Sequence, residues 1–322
     1  MRARLFDADG HDREIDLVDH PLTDVGDRRL IWVDIDLAAG GTLDAVADAL
    51  ALDARDRRRI ESDTATARLV QSADRLHLTI ESLEPEDAQD QDGPLVRREI
   101  DLLAGTGLVV TVRRGRVDAL ARFTEELGDE TSLGVLDAGD LLSSLVDEVI
   151  TGYLRLAESI ERGIDRLDQR ALVGDPDTDV LAGIVAARRR ISLIRRTLAP
   201  HRSALAALAR PEMRAESAVG HPWPGLVERL ETALGALESL REGLLGTYDV
   251  HMGRVAQRAN DVMKALTMLS AVLLPAVVLA GVMGMNFEVP FFEESGNFFV
   301  VLAAMTGFAV VLLLVARWRR WW

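Results

Sequence analysis

The stretch NDVMKALTMLSAVLLPAVVLAGVMGMN, residues 260–286, decides the fold class. From Ala265 to Met285 it carries no charge, and its length matches the roughly 20 apolar residues a helix needs to cross the hydrocarbon of a bilayer. A second such run, FFVVLAAMTGFAVVLLLVA, spans Phe298 to Ala316. Pro275 in the first run is tolerable in a membrane, where neighbouring helices satisfy the carbonyl it frees. Arg254, Arg258 and Lys264 precede the first span and Arg317, Arg319 and Arg320 follow the second, while residues 286–297 between them hold only acidic charge. Cytoplasmic loops collect Lys and Arg, so both termini are expected in the cytoplasm, with Trp318, Trp321 and Trp322 at the interface.

Moving toward the N-terminus, residues 226–264 read as a stalk helix that continues into the first span. No proline separates Leu226 from Pro275, and Leu230, Leu234, Leu237, Leu244, Tyr248, His251, Val255 and Val262 follow a near-heptad spacing that Arg241 breaks. A helix reaching Gly284 would be about 90 Å long. Its stripe predicts packing against copies of itself or against the helices before it. Residues 116–225 read as helical, with Leu142, Leu145, Val149 and Tyr153 spaced by three and four and breaks at 174–179 and 220–225. A first helix is expected to Leu172 and a second from Val180 to about Leu208.

Residues 1–115 read as an α/β domain. Strands are expected at Arg4–Phe6, Leu30–Ile35, Leu69–Ser72, Leu76–Glu81, Arg97–Leu103 and Leu108–Arg113, with one helical pattern over 43–62. The acidic stretch EPEDAQDQDGP, residues 84–94, reads as a mobile hairpin loop, with cation binding by its carboxylates as the alternative. The whole is an α+β/α membrane protein: 1–115, 116–225, stalk 226–264, first span 265–285, external loop 286–297, second span 298–316 and a basic, aromatic tail 317–322.

Composition removes several functions. The 322 residues carry a net charge of −15, with no basic footprint for a nucleic acid, and the N-terminus has no apolar core that would serve as a signal peptide. Cysteine is absent, which excludes disulfides, thiolate metal sites and cysteine catalysis. Only Lys264 among the 37 basic residues is lysine, a bias that codon usage explains. The six histidines, at 11, 20, 77, 201, 221 and 251, show no paired ligand spacing, and no nucleophile–base pair or phosphate loop appears.

Gly284, Met285 and Asn286 close the first span, and Asn260-Asp-Val-Met-Lys-Ala-Leu-Thr267 opens it. Together they resemble the G-M-N signature and the N-x-x-M-K-x-L-T stretch of the CorA family of magnesium channels. The likeness is detailed over about 248–322 and architectural over 1–247. It implies a homopentameric funnel in which the first span lines the pore, and uptake of magnesium, with cobalt or nickel, across the cytoplasmic membrane. Carried over residue by residue, it implies a pore face of Asn260, Met263, Leu266, Ser270, Leu274, Val277 and Gly281 and an ion-selecting ring of Gly284, Met285 and Asn286. The spacings of three and four put the pore set on one helical face. Magnesium sheds water reluctantly, so amide and carbonyl oxygens that hold its hydration shell suit selection. Glu288, Glu293 and Glu294 would concentrate cations at the entrance, and Asp249 matches a position of the family's regulatory metal carboxylates. Val277 stands where the family often has threonine, the loop reads FEVPFFEESGNFF in place of a segment with M-P-E-L, and an H-P-L-x-x-E-D type segment is missing between Ile60 and Leu69. The runner-up is a ZntB-like zinc transporter of the same superfamily, whose outer motif usually departs from GMN. A membrane-anchored helical scaffold without transport is a third reading.

Overall fold

The computed structural model describes residues 1–7, 12–17, 29–62, 66–72, 75–87, 90, 92–127, 138–173, 178–210, 223–285 and 295–318. The chain divides into two compact units, Met1–Tyr248 and Asp249–Trp322.

The first unit is built on a seven-stranded sheet: β1 (Arg2–Asp7), β2 (Arg13–Glu14), β3 (Arg29–Asp36), β4 (Arg68–Ser72), β5 (Arg75–Pro85), β6 (Leu95–Gly105) and β7 (Leu108–Arg113), in the order β2-β1-β3-β7-β6-β5-β4. Only β3 and β7 pair in parallel, and every other neighbour is antiparallel. The β6–β7 connection is Thr106-Gly107, where glycine takes φ 66° at no steric cost, as a two-residue hairpin turn asks. The β3–β7 pair is locked at its carboxyl ends by Arg113, which donates to both oxygens of Asp34 at 2.9–3.1 Å and to Asp36 at 2.8 Å.

Alternation along the strands buries both faces. One face carries Leu30, Trp32, Leu76, Leu78, Ile80, Ile100 and Leu102, and it is covered by α3 (Asp118–Glu126), α4 (Ala138–Val173), α5 (Thr178–Leu198) and α6 (His201–Leu208). The other carries Ile31, Val33, Ile35, Val110 and Val112 under α1 (Asp44–Ala47) and α2 (Ala54–Glu61). At about 1.5–3 kcal/mol for each buried large aliphatic side chain, these two layers supply the main driving force.

The open edge of β5 beyond β4 is closed by side chains. Pairing with β4 ends at Thr79. At Glu81 the backbone N–H donates to His201 Nε2 at 2.9 Å, and the carbonyl accepts from Tyr153 Oη at 2.7 Å. Helices α4 and α6 thereby satisfy an edge that would otherwise lie buried and unpaired. Further along β5, Glu84 accepts from Asp118 N at 2.8 Å and Ala119 N at 3.4 Å, capping α3 from another element.

Three helical expectations are corrected. The pattern over 43–62 is two helices, because Ala51 takes φ 47° and Asp53 caps a new start, accepting from Arg55 N and Asp56 N. The helix expected over 117–172 is α3 and α4, separated by residues 128–137, which lie outside the described residues. The helix expected over 180–208 stops at Leu198, where Pro200 offers no N–H and disfavours helical backbone at Ala199. The acidic stretch 84–94 is the tip of the β5–β6 hairpin, as expected, but Arg166 of α4 holds Asp92 at 2.8 Å and Arg190 of α5 donates to the Gly93 carbonyl at 2.7 Å.

A continuous helix, Trp223–Met283, runs through the boundary between the units. It starts three residues before the expected 226, with Pro224 in the first turn, where no N–H is missed. Within the first unit Leu230, Leu237 and Leu244 are buried in the helical core, and Arg229–Asp147 at 2.9 Å and Arg195–Glu238 at 3.1 Å flank them. The first half of the near-heptad stripe thus packs on the chain's own helices. Its later members, Val255 and Val262, are exposed.

Candidate functional site

The second unit consists of the rest of the long helix and a C-terminal helix, Ser295–Trp318. Both are long and apolar enough to cross a membrane. The C-terminal helix takes in the last three residues expected in the loop.

Their contact sorts the faces of the first span. Its half-buried positions are Lys264, Met268, Val272, Pro275, Ala276 and Met283, and those of the C-terminal helix are Asn297, Val301, Met305, Ala309 and Leu312, with Ala316 buried. Each set follows steps of mostly three and four, so each is one stripe. Met268, Ala271 and Val272 line a common crevice with Leu312, Val315 and Ala316, which fixes these stripes as the faces turned to one another.

The expected pore residues lie on the far side. At about 100° per residue, Asn260, Met263, Leu266, Ser270, Leu274, Val277 and Gly281 centre on a line roughly opposite the packed stripe. All are exposed, Leu274 by 69% and Val277 by 65%. Ser270 spends its proton on the Leu266 carbonyl at 2.9 Å, and Thr267 does the same with Met263 at 2.8 Å, so neither leaves an unsatisfied donor. The Ser270 oxygen keeps acceptor capacity on the exposed face.

At the far end the helix gives way to a turn: Gly284 N donates to Ala280 O at 3.0 Å and Met285 N to Val282 O at 3.2 Å. Asn286, Glu288, Glu293 and Glu294 lie outside the described residues, as do Arg319, Arg320, Trp321 and Trp322. Asp249 is exposed on the long helix, and no group of three His, Asp or Glu placed to hold a metal occurs among the described residues. At the other end Asp261 accepts from Gln257 Nε2 at 3.1 Å and Lys264 Nζ at 3.3 Å, an exposed network on one flank of the helix.

What sequence reading missed is the packed side. The spacing of Val301, Met305, Ala309 and Ala316 was a signal for it, but in a wholly apolar run such a stripe does not stand out from its surroundings.

The profile of the family described as CorA-like Mg2+ transporter protein matches residues 27–317. The cobalt/magnesium transport protein CorA of Thermotoga maritima is 29% identical over 184 residues, covering 56% of this chain and 52% of that protein. The match therefore spans about half the length of that relative. The complete structure of the CorA magnesium transporter from Methanocaldococcus jannaschii superposes with a TM-score of 0.76 at 20% identity, covering 98% of each chain. The cytoplasmic domain of ZntB from Vibrio parahaemolyticus superposes with a TM-score of 0.60 at 11% identity, over 80% of this chain and 98% of that one. These two likenesses show the fold alone.

Proposed function

The chain belongs to the CorA-like Mg2+ transporter family, a family of transporters and not of enzymes, and from that premise we propose that it carries magnesium, with cobalt or nickel, into the cytoplasm through a homopentameric pore. The observation that carries this reading is the exposed stripe Asn260 to Gly281, turned away from the C-terminal helix and followed in the sequence by Gly284-Met285-Asn286. Copies of the long helix arranged about an axis would cover that stripe. Its apolar members, Met263, Leu266 and Leu274, then form rings that close by dewetting. Five Asn286 amide oxygens, with Gly284 carbonyls beside them, hold a hydrated ion at the outer mouth, where Glu288, Glu293 and Glu294 raise the local cation concentration. Asp249 is the carboxylate through which bound magnesium would regulate opening. Magnesium is cargo here, and at Asp249 also a signal.

The test is Asn286→Ala in proteoliposomes. Magnesium uptake should be abolished while the oligomer stays assembled, and wild-type flux in the assembled variant sinks the selectivity ring. Competition among magnesium, cobalt, nickel and zinc, with and without a proton gradient, completes the assignment. Preferential, proton-dependent zinc movement would transfer the chain to the ZntB-like reading.

A further inference from the structure

The crevice between the two spanning helices has a volume of about 320 Å³ and lies at the end of the pair that bears the chain's flanking cations. Its walls are Thr267, whose hydroxyl is spent on the Met263 carbonyl at 2.8 Å, with Met268, Ala271 and Val272 on one side, and Leu312, Val315 and Ala316 on the other. The two alanines leave the gap, since neither reaches across it. One helical turn before Met268 stands Lys264, half-buried on the side that faces the C-terminal helix, and directly after Ala316 comes Arg317. Largely apolar walls with a basic residue just beyond each of them, at the same end of the helix pair, suit an amphipathic anion.

We infer that the crevice seats an anionic phospholipid, with one acyl chain between the helices and the phosphate against Lys264 and Arg317. A hydrocarbon chain is the only abundant bilayer component that fits such walls, and basic pockets between spanning helices at the cytoplasmic side attract anionic headgroups. Lys264 is engaged by Asp261 at 3.3 Å, but that pair is exposed and weak, so it competes little with a phosphate. Arg317 has no carboxylate partner among the described residues. A seated lipid would fill the space beside Thr267 and Ala271, one turn from the exposed stripe, and so couple the lipid composition of the leaflet to the packing of the pore helix.

This rests on reading the two helices as a spanning pair, not on ion conduction, so lipid retention and flux fail separately. Full-length protein in detergent is offered dioleoyl phosphatidylglycerol and dioleoyl phosphatidylcholine in equal amounts, and retained lipid is counted by native mass spectrometry. Wild type should retain the anionic lipid in preference. Arg317→Gln should lower that preference about fivefold, the effect of one basic side chain near a membrane surface. Ala271→Leu, which fills the gap, should reduce retention of both lipids. Equal retention of the two lipids by wild type overturns the inference, and so does wild-type retention in Ala271→Leu, which would mean surface attraction without a seat. A change of oligomeric state in Ala271→Leu with lipid retention unaltered gives the crevice to a second copy of the chain and overturns it too.

Discussion

His201 is buried, and its Nε2 accepts from the Glu81 N–H, so Nδ1 must carry the proton that goes to the Leu198 carbonyl at 3.1 Å. This arrangement tolerates only the neutral ring. Burial pushes the His201 pKa from the ordinary 6.5 down to about 4. Between those values the unfolded chain binds the extra proton, so stability is complete above pH 6.5 and falls as pH drops toward 4, by roughly 3 kcal/mol in all. Glu81 and Glu84 act with the opposite sign, because burial raises both and their ionisation costs stability as pH climbs above the usual carboxylate range. The variant His201→Gln separates the two effects, since its amide oxygen can still accept from Glu81. As pH drops from about 7 to about 5 its thermal midpoint should fall less than that of wild type, or rise where the glutamate effect is left unopposed. Parallel curves for the two proteins would remove His201 from the account.

At the scale of elements, the strands were legible as short runs rich in aliphatic and β-branched residues, nearly continuous where both faces bury apolar side chains, as along Leu30–Ile35, and alternating along Leu76–Glu81. The structure mainly lengthens them. The helix breaks were not legible at Ala51, where an ordinary residue adopts φ 47° under tertiary constraint, and Pro200 was overlooked although its chemistry was in view. The candidate site was half legible. Asn260 to Gly281 could be listed from motif and spacing, but periodicity does not distinguish an exposed face from a packed face when both are apolar: Leu274 and Val272 look alike in a sequence. Only contact with the C-terminal helix tells them apart. That distinction makes a prediction available in a chain without cysteine. If copies of the long helix meet about an axis as proposed, Leu274→Cys should crosslink between copies under mild oxidation, whereas Val272→Cys, turned to the C-terminal helix, should not. Equal crosslinking at both positions would mean that the faces are assigned wrongly.

At the scale of the whole molecule, charge sets orientation. The net charge of −15 is misleading here, because topology responds to Lys and Arg close to the spans and hardly to Asp and Glu. Arg254, Arg258 and Lys264 lie before the first span, and Arg317, Arg319 and Arg320 lie after the second. The segment 286–297 between the spans has none. Moving either basic cluster through the hydrocarbon is far more costly than moving the intervening segment, so the proposed orientation keeps both basic clusters on the cytoplasmic side and sends only the loop across. Under the proposed function that orientation would present Asn286 and the three glutamates to the outside, where an importer would first meet its ion, and would leave Asp249 to sample the cytoplasmic concentration. A reversed orientation would put the proposed selective ring at the exit and the proposed regulatory carboxylate at the entrance, with no means of sensing how much ion had accumulated. Ser295→Cys places one thiol at the end of the loop. An impermeant maleimide should label it in intact cells at the rate seen after lysis, and should fail to label a cysteine introduced at the exposed Ser144 until the cells are broken. Labelling of Ser295→Cys only after lysis would invert the topology and, with it, the direction of uptake.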